Sequence, residues 1–425
     1  MAHMLENPHA YHQLRQQMDH APTGVPDSPA IMQVLRILFS PQDADFARRI
    51  PTQPVSLTAL SRMLAEDRGV LEARLSDLAL RGLVVDVERD GERFFALAPV
   101  LGGIFEFIMM RVRDELPLEK LARLFDDYLF HDEGFVRQSF KGTTQFGRSF
   151  PREEALPGDA HTEVLDWERV TRVIETASDI TVGLCACRHN RSHLGKACDR
   201  PQRTCLSLNG GAQAMRRMEI AKTISATEAM NIVTECKQLG LAQTGDNVQR
   251  KVTFLCNCCP CCCVLVNAIR TYNIRSAIVP ANWAMEVDAG RCKGCGQCAD
   301  ACYTGAIRMI EQEQEQKMAV PDMDLCLGCG VCYGACNNGA IRMKQRQRRP
   351  LVPETAFDKT VMAAVERGKL ADIVFENPET LSQRALGRIL SVLEKSPPGQ
   401  AALAVKPLRS LYLNALVKRI RKKDS

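Results

Sequence analysis

All nineteen cysteines of this 425-residue chain lie between Cys185 and Cys336, and eight of them form a repeat. Arg291 to Ile310 reads RCKGCGQCADACYTGAIRMI and Leu325 to Lys344 reads LCLGCGVCYGACNNGAIRMK, identical at twelve of twenty aligned positions at an offset of 34 residues. Each copy has the spacing C-x2-C-x2-C-x3-C: Cys292, Cys295, Cys298 and Cys302, then Cys326, Cys329, Cys332 and Cys336. Three thiolates so spaced on one tight loop reach three corners of an iron–sulfur cubane. The fourth, expected on the short helix that follows, lies too far round to close that cluster and ligates the other. One set is then Cys292, Cys295, Cys298 and Cys336, and the second is Cys326, Cys329, Cys332 and Cys302. Gly294, Gly296, Gly328 and Gly330 suit loops that wrap closely and turn N–H groups towards sulfide. A C-x2-C pair alone is also a zinc signature, but four cysteines at this spacing, given twice, are far more specific.

On these residues, Val287 to Met343 resembles the bacterial-type two-cluster 2[4Fe-4S] ferredoxins. The resemblance implies two [4Fe-4S] clusters and that family's fold, with short strands at Ala306 to Ile310 and Lys317 to Val320. One departure stands out: the Pro that usually follows the fourth cysteine is replaced by Tyr303 and Asn337. Pro is not a ligand, so ligation should survive, while the hydrogen bonding and exposure that tune the potential should differ. The order of strand, cysteine cluster, strand (Ser276 to Val279) and ferredoxin loops also resembles a larger family of cysteine-rich 4Fe-4S ferredoxin-like proteins, over most of the chain. That second resemblance supplies no reaction.

Eleven cysteines remain. Cys236 lies in an amphipathic helical pattern with Ser225 as N-cap, Glu228 closing a capping box and Gly240 at the end, which predicts a buried structural thiol. The other ten form two groups: Cys185, Cys187, Cys198 and Cys205, then Cys256, Cys258, Cys259, Cys261, Cys262 and Cys263 in the run CNCCPCCC. Both follow apolar runs that read as strands, Ile180 to Leu184 and Val252 to Leu255, so the thiols should sit at strand ends. Four thiolates suffice for one further iron–sulfur cluster or a zinc, with His189 and His193 as optional ligands or solvated surface residues. Six thiols in eight residues cannot all bind one ion. One or two further iron–sulfur clusters, or zinc, are therefore expected here. The adjacent cysteines also resemble the paired-cysteine modules of heterodisulfide-reductase-like proteins, though the spacing departs from that module.

The ends lack cysteine. Leu57, Leu60, Met63 and Leu64 share one helical face, and Val70, Leu71, Leu75 and Leu78 another. Leu83 to Val87 and Phe94 to Ala98 alternate around a turn, a winged-helix-like pattern. Residues 1–110 hold ten Arg against fourteen Asp or Glu, too acidic for the phosphate contacts of a DNA-binding wing, so docking rather than nucleic acid is expected. Ile104 to Arg113 and Leu118 to Phe130 read as helices before a linker. Residues 341–425 carry eighteen Lys or Arg against eight Asp or Glu, and Leu408, Leu411, Tyr412 and Ala415 line one face of a basic helix. Such a face suits an acidic partner, an anionic membrane surface, or a core.

The expected architecture is α+β and multidomain: a flexible terminus (1–27), a winged-helix-like domain (28–100), a helical segment and linker (101–165), a cysteine-rich α/β metal-binding domain (166–285), the dicluster ferredoxin fold (286–345) and a basic helical C-terminal region (346–425). No run of about 18 apolar residues and no apolar leader appear, which predicts a cytoplasmic chain, with peripheral membrane contact through the basic end as a further expectation. A reducing compartment holds thiols for metals rather than disulfides. The leading expectation is an iron–sulfur electron-transfer protein serving a partner oxidoreductase or flavoprotein. A reductase with its catalytic cluster in the Cys185–Cys263 region is the second reading, and a redox-sensing regulator using the winged helix the third. No dinucleotide fingerprint is present, and whether the chain is itself an enzyme stays open at this level.

Overall fold

The computed structural model describes residues 9–157, 165–311 and 317–374. In the N-terminal region, helices Pro29–Leu38 and Pro41–Ala47 each start at a serine: Ser28 Oγ accepts from the Ile31 N–H at 3.3 Å and Ser40 Oγ from the Asp43 N–H at 3.1 Å. These bonds satisfy N–H groups that a first helical turn leaves without partners. Helices Leu57–Leu64 and Arg68–Leu80, capped by Ser56 and Asp67, follow. Strands β1 (Val55–Ser56), β2 (Val84–Arg89) and β3 (Glu92–Leu97) form an antiparallel sheet in the order β1-β3-β2. Asp90 and Gly91, both at positive φ, close the two-residue β2–β3 turn. Leu57, Leu60, Leu64, Leu71, Leu75 and Leu78 are buried as expected, whereas Met63 and Val70 are exposed.

The segment expected to be flexible contains a helix, Ala10–Asp19, with Ala10, Leu14 and Met18 buried. Those three residues are one turn apart, a stripe too narrow to stand out among His and Gln but wide enough to dock. The helix expected over Ile104 to Arg113 is short, Phe105–Met109, and enters from a wide turn (Val100–Ile104) with Gly102 at φ 76°. Helix Leu118–Asp126 is continued by another wide turn to His131, and Glu133–Ser139 is a helix inside the expected linker.

The cysteine-rich region is built on a six-stranded sheet of β4 (Gly147–Ser149), β5 (Ile180–Gly183), β6 (Cys205–Leu208), β7 (Lys222–Thr223), β8 (Ala242–Asp246) and β9 (Phe254–Cys258), in the order β4-β8-β9-β6-β5-β7. Every neighbouring pair is antiparallel, which corrects the α/β expectation. Helices Val170–Glu175 and Ala226–Gln238 cover an apolar face that includes Phe150, Ile180, Val182, Leu206, Leu208 and Leu255. The capping box of Ser225 and Glu228 is present as read from the sequence. Ser276 to Val279 is not a strand. It forms a short 3-10 turn and one bridge from Val279 to Arg148, and its Ala277 and Ile278 are buried by packing rather than by pairing.

Downstream, β10 (Trp283–Val287) pairs antiparallel with β13 (Ile341–Gln345), and β11 (Ile307–Glu311) with β12 (Lys317–Pro321). Helix Ala356–Arg367 then returns to the cysteine-rich sheet, where Glu366 accepts from the N–H groups of Thr143 at 2.8 Å and Thr144 at 2.7 Å. The amphipathic face of Leu408, Leu411, Tyr412 and Ala415 lies outside the described residues. Among the described residues no helix is long and apolar enough to cross a membrane.

One apolar core runs from helix Ala10–Asp19 through Val264–Tyr272 to Leu327 and Val331, so the regions share a core. A polar clamp reinforces the join: buried Asp86 on β2 meets Arg93 at 2.6 Å and Arg217 of the cysteine-rich region at 3.4 Å. Asp86→Ala removes the buried anion shared by Arg93 and Arg217, which keep only Glu72 and Glu88, and should cost about 1–3 kcal/mol, read as a lower midpoint in chemical denaturation. An unchanged midpoint would show that the clamp contributes nothing.

Candidate metal centre

The two cysteine loops surround two cavities. Cys292, Cys295, Cys298 and Cys336 line the first together with Val287, Met309 and Ile341. Cys302, Cys326, Cys329 and Cys332 line the second together with Met285, Tyr303 and Val331. The fourth cysteine of each copy thus stands with the first three of the other. The short helices Gln297–Asp300 and Val331–Gly334 carry Cys298 and Cys332, so Cys302 and Cys336 lie just beyond them rather than on them. Two glycines are dictated by close approach: a Cβ at Gly328 would stand 2.0 Å from the Trp283 carbonyl oxygen, and one at Gly294 2.3 Å from that of Lys317.

Upstream, the thiols divide in a way their order in the chain does not suggest. Cys185 lies two residues past β5 at the residue before helix Ala186–Ser192, Cys205 opens β6 opposite Gly183, and Cys263 immediately precedes helix Val264–Tyr272. Cys256 and Cys258 lie within β9, not after it, and as alternate residues they share one face. These thiols are neighbours in a string, Cys185, Cys187, Cys263, Cys258, Cys256 and Cys205, in which Cys263 and Cys258 stand 3.6 Å apart. The other four, Cys198, Cys259, Cys261 and Cys262, have all their sulfurs within 4.8 Å of one another. The run CNCCPCCC therefore feeds two groups, with Pro260 at the turn between β9 and the last three cysteines.

Cys236 is buried beside Cys259 and Cys262, and burial pushes its thiol up to about 12, as suits a structural thiol. His189 and His193 face each other, Nε2 to Nε2 at 3.2 Å, and His189 Nδ1 lies 2.8 Å from the Met109 oxygen. Among the described residues neither histidine joins the four-thiol group.

Residues 291–340 match the family model of the 4Fe-4S dicluster domain. No curated protein and no solved structure matches the chain. The dicluster domain binds iron–sulfur clusters and ties the chain to iron–sulfur electron transfer, while the eleven upstream cysteines fall outside the match. Its two loops differ in surroundings. Cys295 is exposed. The loop of Cys329 is pinned to the upstream region: its oxygen accepts from the Arg152 N–H at 3.1 Å, and the Leu327 oxygen accepts from the Ala281 N–H at 2.9 Å. Tyr303, buried where the family has proline, donates from its hydroxyl to the Gly240 oxygen, while Asn337 at the corresponding site is exposed. Burial, with Cys326 and Cys302 nearby, pushes the Cys329 thiol up to about 12.

Sequence reasoning missed Arg188. It is fully buried, donating to the oxygens of Pro201 at 3.0 Å and Asn257 at 2.9 Å and to the Thr204 hydroxyl. Among the described residues no carboxylate pairs with it. Burial works to strip its charge, but the thiols of Cys185, Cys259 and Cys258 more than offset this and hold it above its ordinary value. A buried guanidinium requires anions, and thiols stay anionic at neutral pH when a metal holds them. The donor set therefore fits bound metal, with Arg188 between the two groups. The only signal in sequence was an arginine directly after the C-x-C pair. Arg188→Leu should strip metal from the upstream region and leave the dicluster domain loaded, checked by metal analysis and visible absorption. Full upstream metal in that variant would remove Arg188 from this role.

Proposed function

We propose that this chain is an iron–sulfur electron carrier in which two [4Fe-4S] clusters link an external redox partner to the centres of the upstream region. Cys292, Cys295, Cys298 and Cys336 would hold the outer cluster, and Cys326, Cys329, Cys332 and Cys302 the inner one. The supporting observation is the asymmetry of the two loops: one presents Cys295 to solvent, and the other is clamped by Arg152, Ala281 and Tyr303 against the thiols upstream. Tyr303 joins the same apolar core as Cys258 and Cys263, so the inner cluster and the upstream thiols share a water-poor surrounding. A bound cluster supplies one-electron chemistry; the protein insulates, tunes and docks it.

The outer face has a basic rim. Lys293 lines the cavity beside Cys295, and Arg291 and Arg342 share the single carboxylate of Asp288. An acidic flavoprotein or oxidoreductase is the partner this favours. The winged-helix-like unit is read as a docking surface, because cations on its helices and hairpin are committed internally, Arg81 to Asp43 and Asp77, Arg93 to Asp86 and Glu72, and Arg74 over the Phe46 ring. A cytoplasmic setting suits thiols held for metals.

Anaerobically purified protein should hold at least about eight iron per chain, four for each cluster, with matching acid-labile sulfide. Iron near zero would end this reading. Cys302→Ser should alter the electron paramagnetic resonance signal of the inner cluster and spare the outer one, and the reverse pattern would overturn the ligand sets. Reversing charge at Arg291 and Lys293 to Glu should slow reduction by an acidic flavodoxin about tenfold at low salt. Equal rates for variant and parent would place docking elsewhere.

A further inference from the structure

Among the ten upstream cysteines, four are gathered differently from every other set. The sulfurs of Cys198, Cys259, Cys261 and Cys262 all lie within 4.8 Å of one another. In a tetrahedral tetrathiolate with metal–sulfur bonds of about 2.3 Å, the sulfurs stand about 3.8 Å apart. A cubane holds its thiolates further apart, because its iron–sulfide core stands between them. The eight cysteines of the dicluster domain provide the comparison within the same chain: they ring two cavities, and among the described residues they do not gather within that tighter span. The Cys198 group has the span of a single ion.

We propose that Cys198, Cys259, Cys261 and Cys262 hold one zinc ion, separate from the iron–sulfur centres. This inference deepens the metal-binding reading of the upstream region and does not depend on iron being bound downstream. The set offers four sulfurs and no open position, the pattern of a structural rather than a catalytic zinc. Binding replaces thiol protons, which leave to solvent, and no electron moves. The complex of one divalent cation with four thiolates carries net charge −2, and the buried guanidinium of Arg188, which interacts electrostatically with Cys259, offsets part of that charge. Cys236, buried beside Cys259 and Cys262, packs against the group from the apolar side.

The site also has a structural task. Residues 194–204, between helix Ala186–Ser192 and β6, form no helix or strand, and Cys198 is their contribution to the group. The other three ligands lie just past the end of β9. A zinc would staple this irregular loop to that turn, and so fix which way each cysteine of the run faces. Cys256, Cys258 and Cys263 are then left to Cys185, Cys187 and Cys205, six thiols strung out more widely and suited to an iron–sulfur centre.

The test is metal analysis of the full chain, purified anaerobically from cells grown with both iron and zinc. About one zinc per chain should accompany the iron, and Cys198→Ser should lower zinc at least fivefold with iron unchanged. Loss of about four iron with zinc retained would assign a cubane to this group and overturn the proposal, as would absence of zinc from the parent protein. If the variant does not fold, zinc-edge X-ray absorption on the parent decides: four sulfurs at about 2.3 Å are expected, and nitrogen or oxygen in the first shell would refute it. Failure of the electron-transfer reading would show separately, as iron near zero whatever the zinc content.

Discussion

A guanidinium shut away from water among thiols is the constraint around which the middle of this molecule is arranged. Arg188 has neutral oxygens for its N–H groups and only sulfur for its counter-charge. An isolated buried cation would cost more than the fold can supply, and the thiols of Cys185, Cys258 and Cys259 are the groups placed to answer its charge. Strand β9 ends with Cys258 near it, Cys259 follows directly before Pro260, and the main-chain oxygen of Asn257 accepts from it. The N-terminal helices close the surroundings, as His189, one residue along, reaches the Met109 oxygen.

The dicluster domain is fastened to this region along one loop and free along the other. Three main-chain or side-chain bonds reach across at the inner loop, and Gly328 is pressed so closely on Trp283 that no side chain would fit. Tyr303 does in this chain something the usual proline could not: its ring fills the seam and its hydroxyl satisfies a helix-end carbonyl of the neighbouring region. The departure from the ferredoxin pattern is thus the mark of a domain built to lean on another.

How much of this was legible beforehand follows from where each piece of geometry is encoded. The C-x2-C-x2-C-x3-C loops could be read directly, because ligand geometry there is set within a dozen residues. The helices at Leu57 and Arg68 and the hairpin after them were legible from local periodicity and turn residues. The partition of the ten upstream thiols was not, since it depends on β9 lying between β8 and β6, a long-range choice. Strands β4 and β7, three and two residues long, exist only because a partner strand passes. Ser276 to Val279 looked like a strand because its apolar residues are buried, but burial against helices and burial in a sheet leave the same short apolar run. Arg188 escaped notice because the charge it answers is not a carboxylate.

The alternation of thiols along CNCCPCCC also bears on how such a segment can change over evolutionary time. Because neighbouring positions fall into different thiol groups, adding or deleting one residue between Cys256 and Cys263 would move several sulfurs from one group to the other at once. An exchange of side chain at Pro260, which is only half-buried, would be milder by comparison. The stretch behaves like a reading frame: tolerant of spelling, intolerant of length.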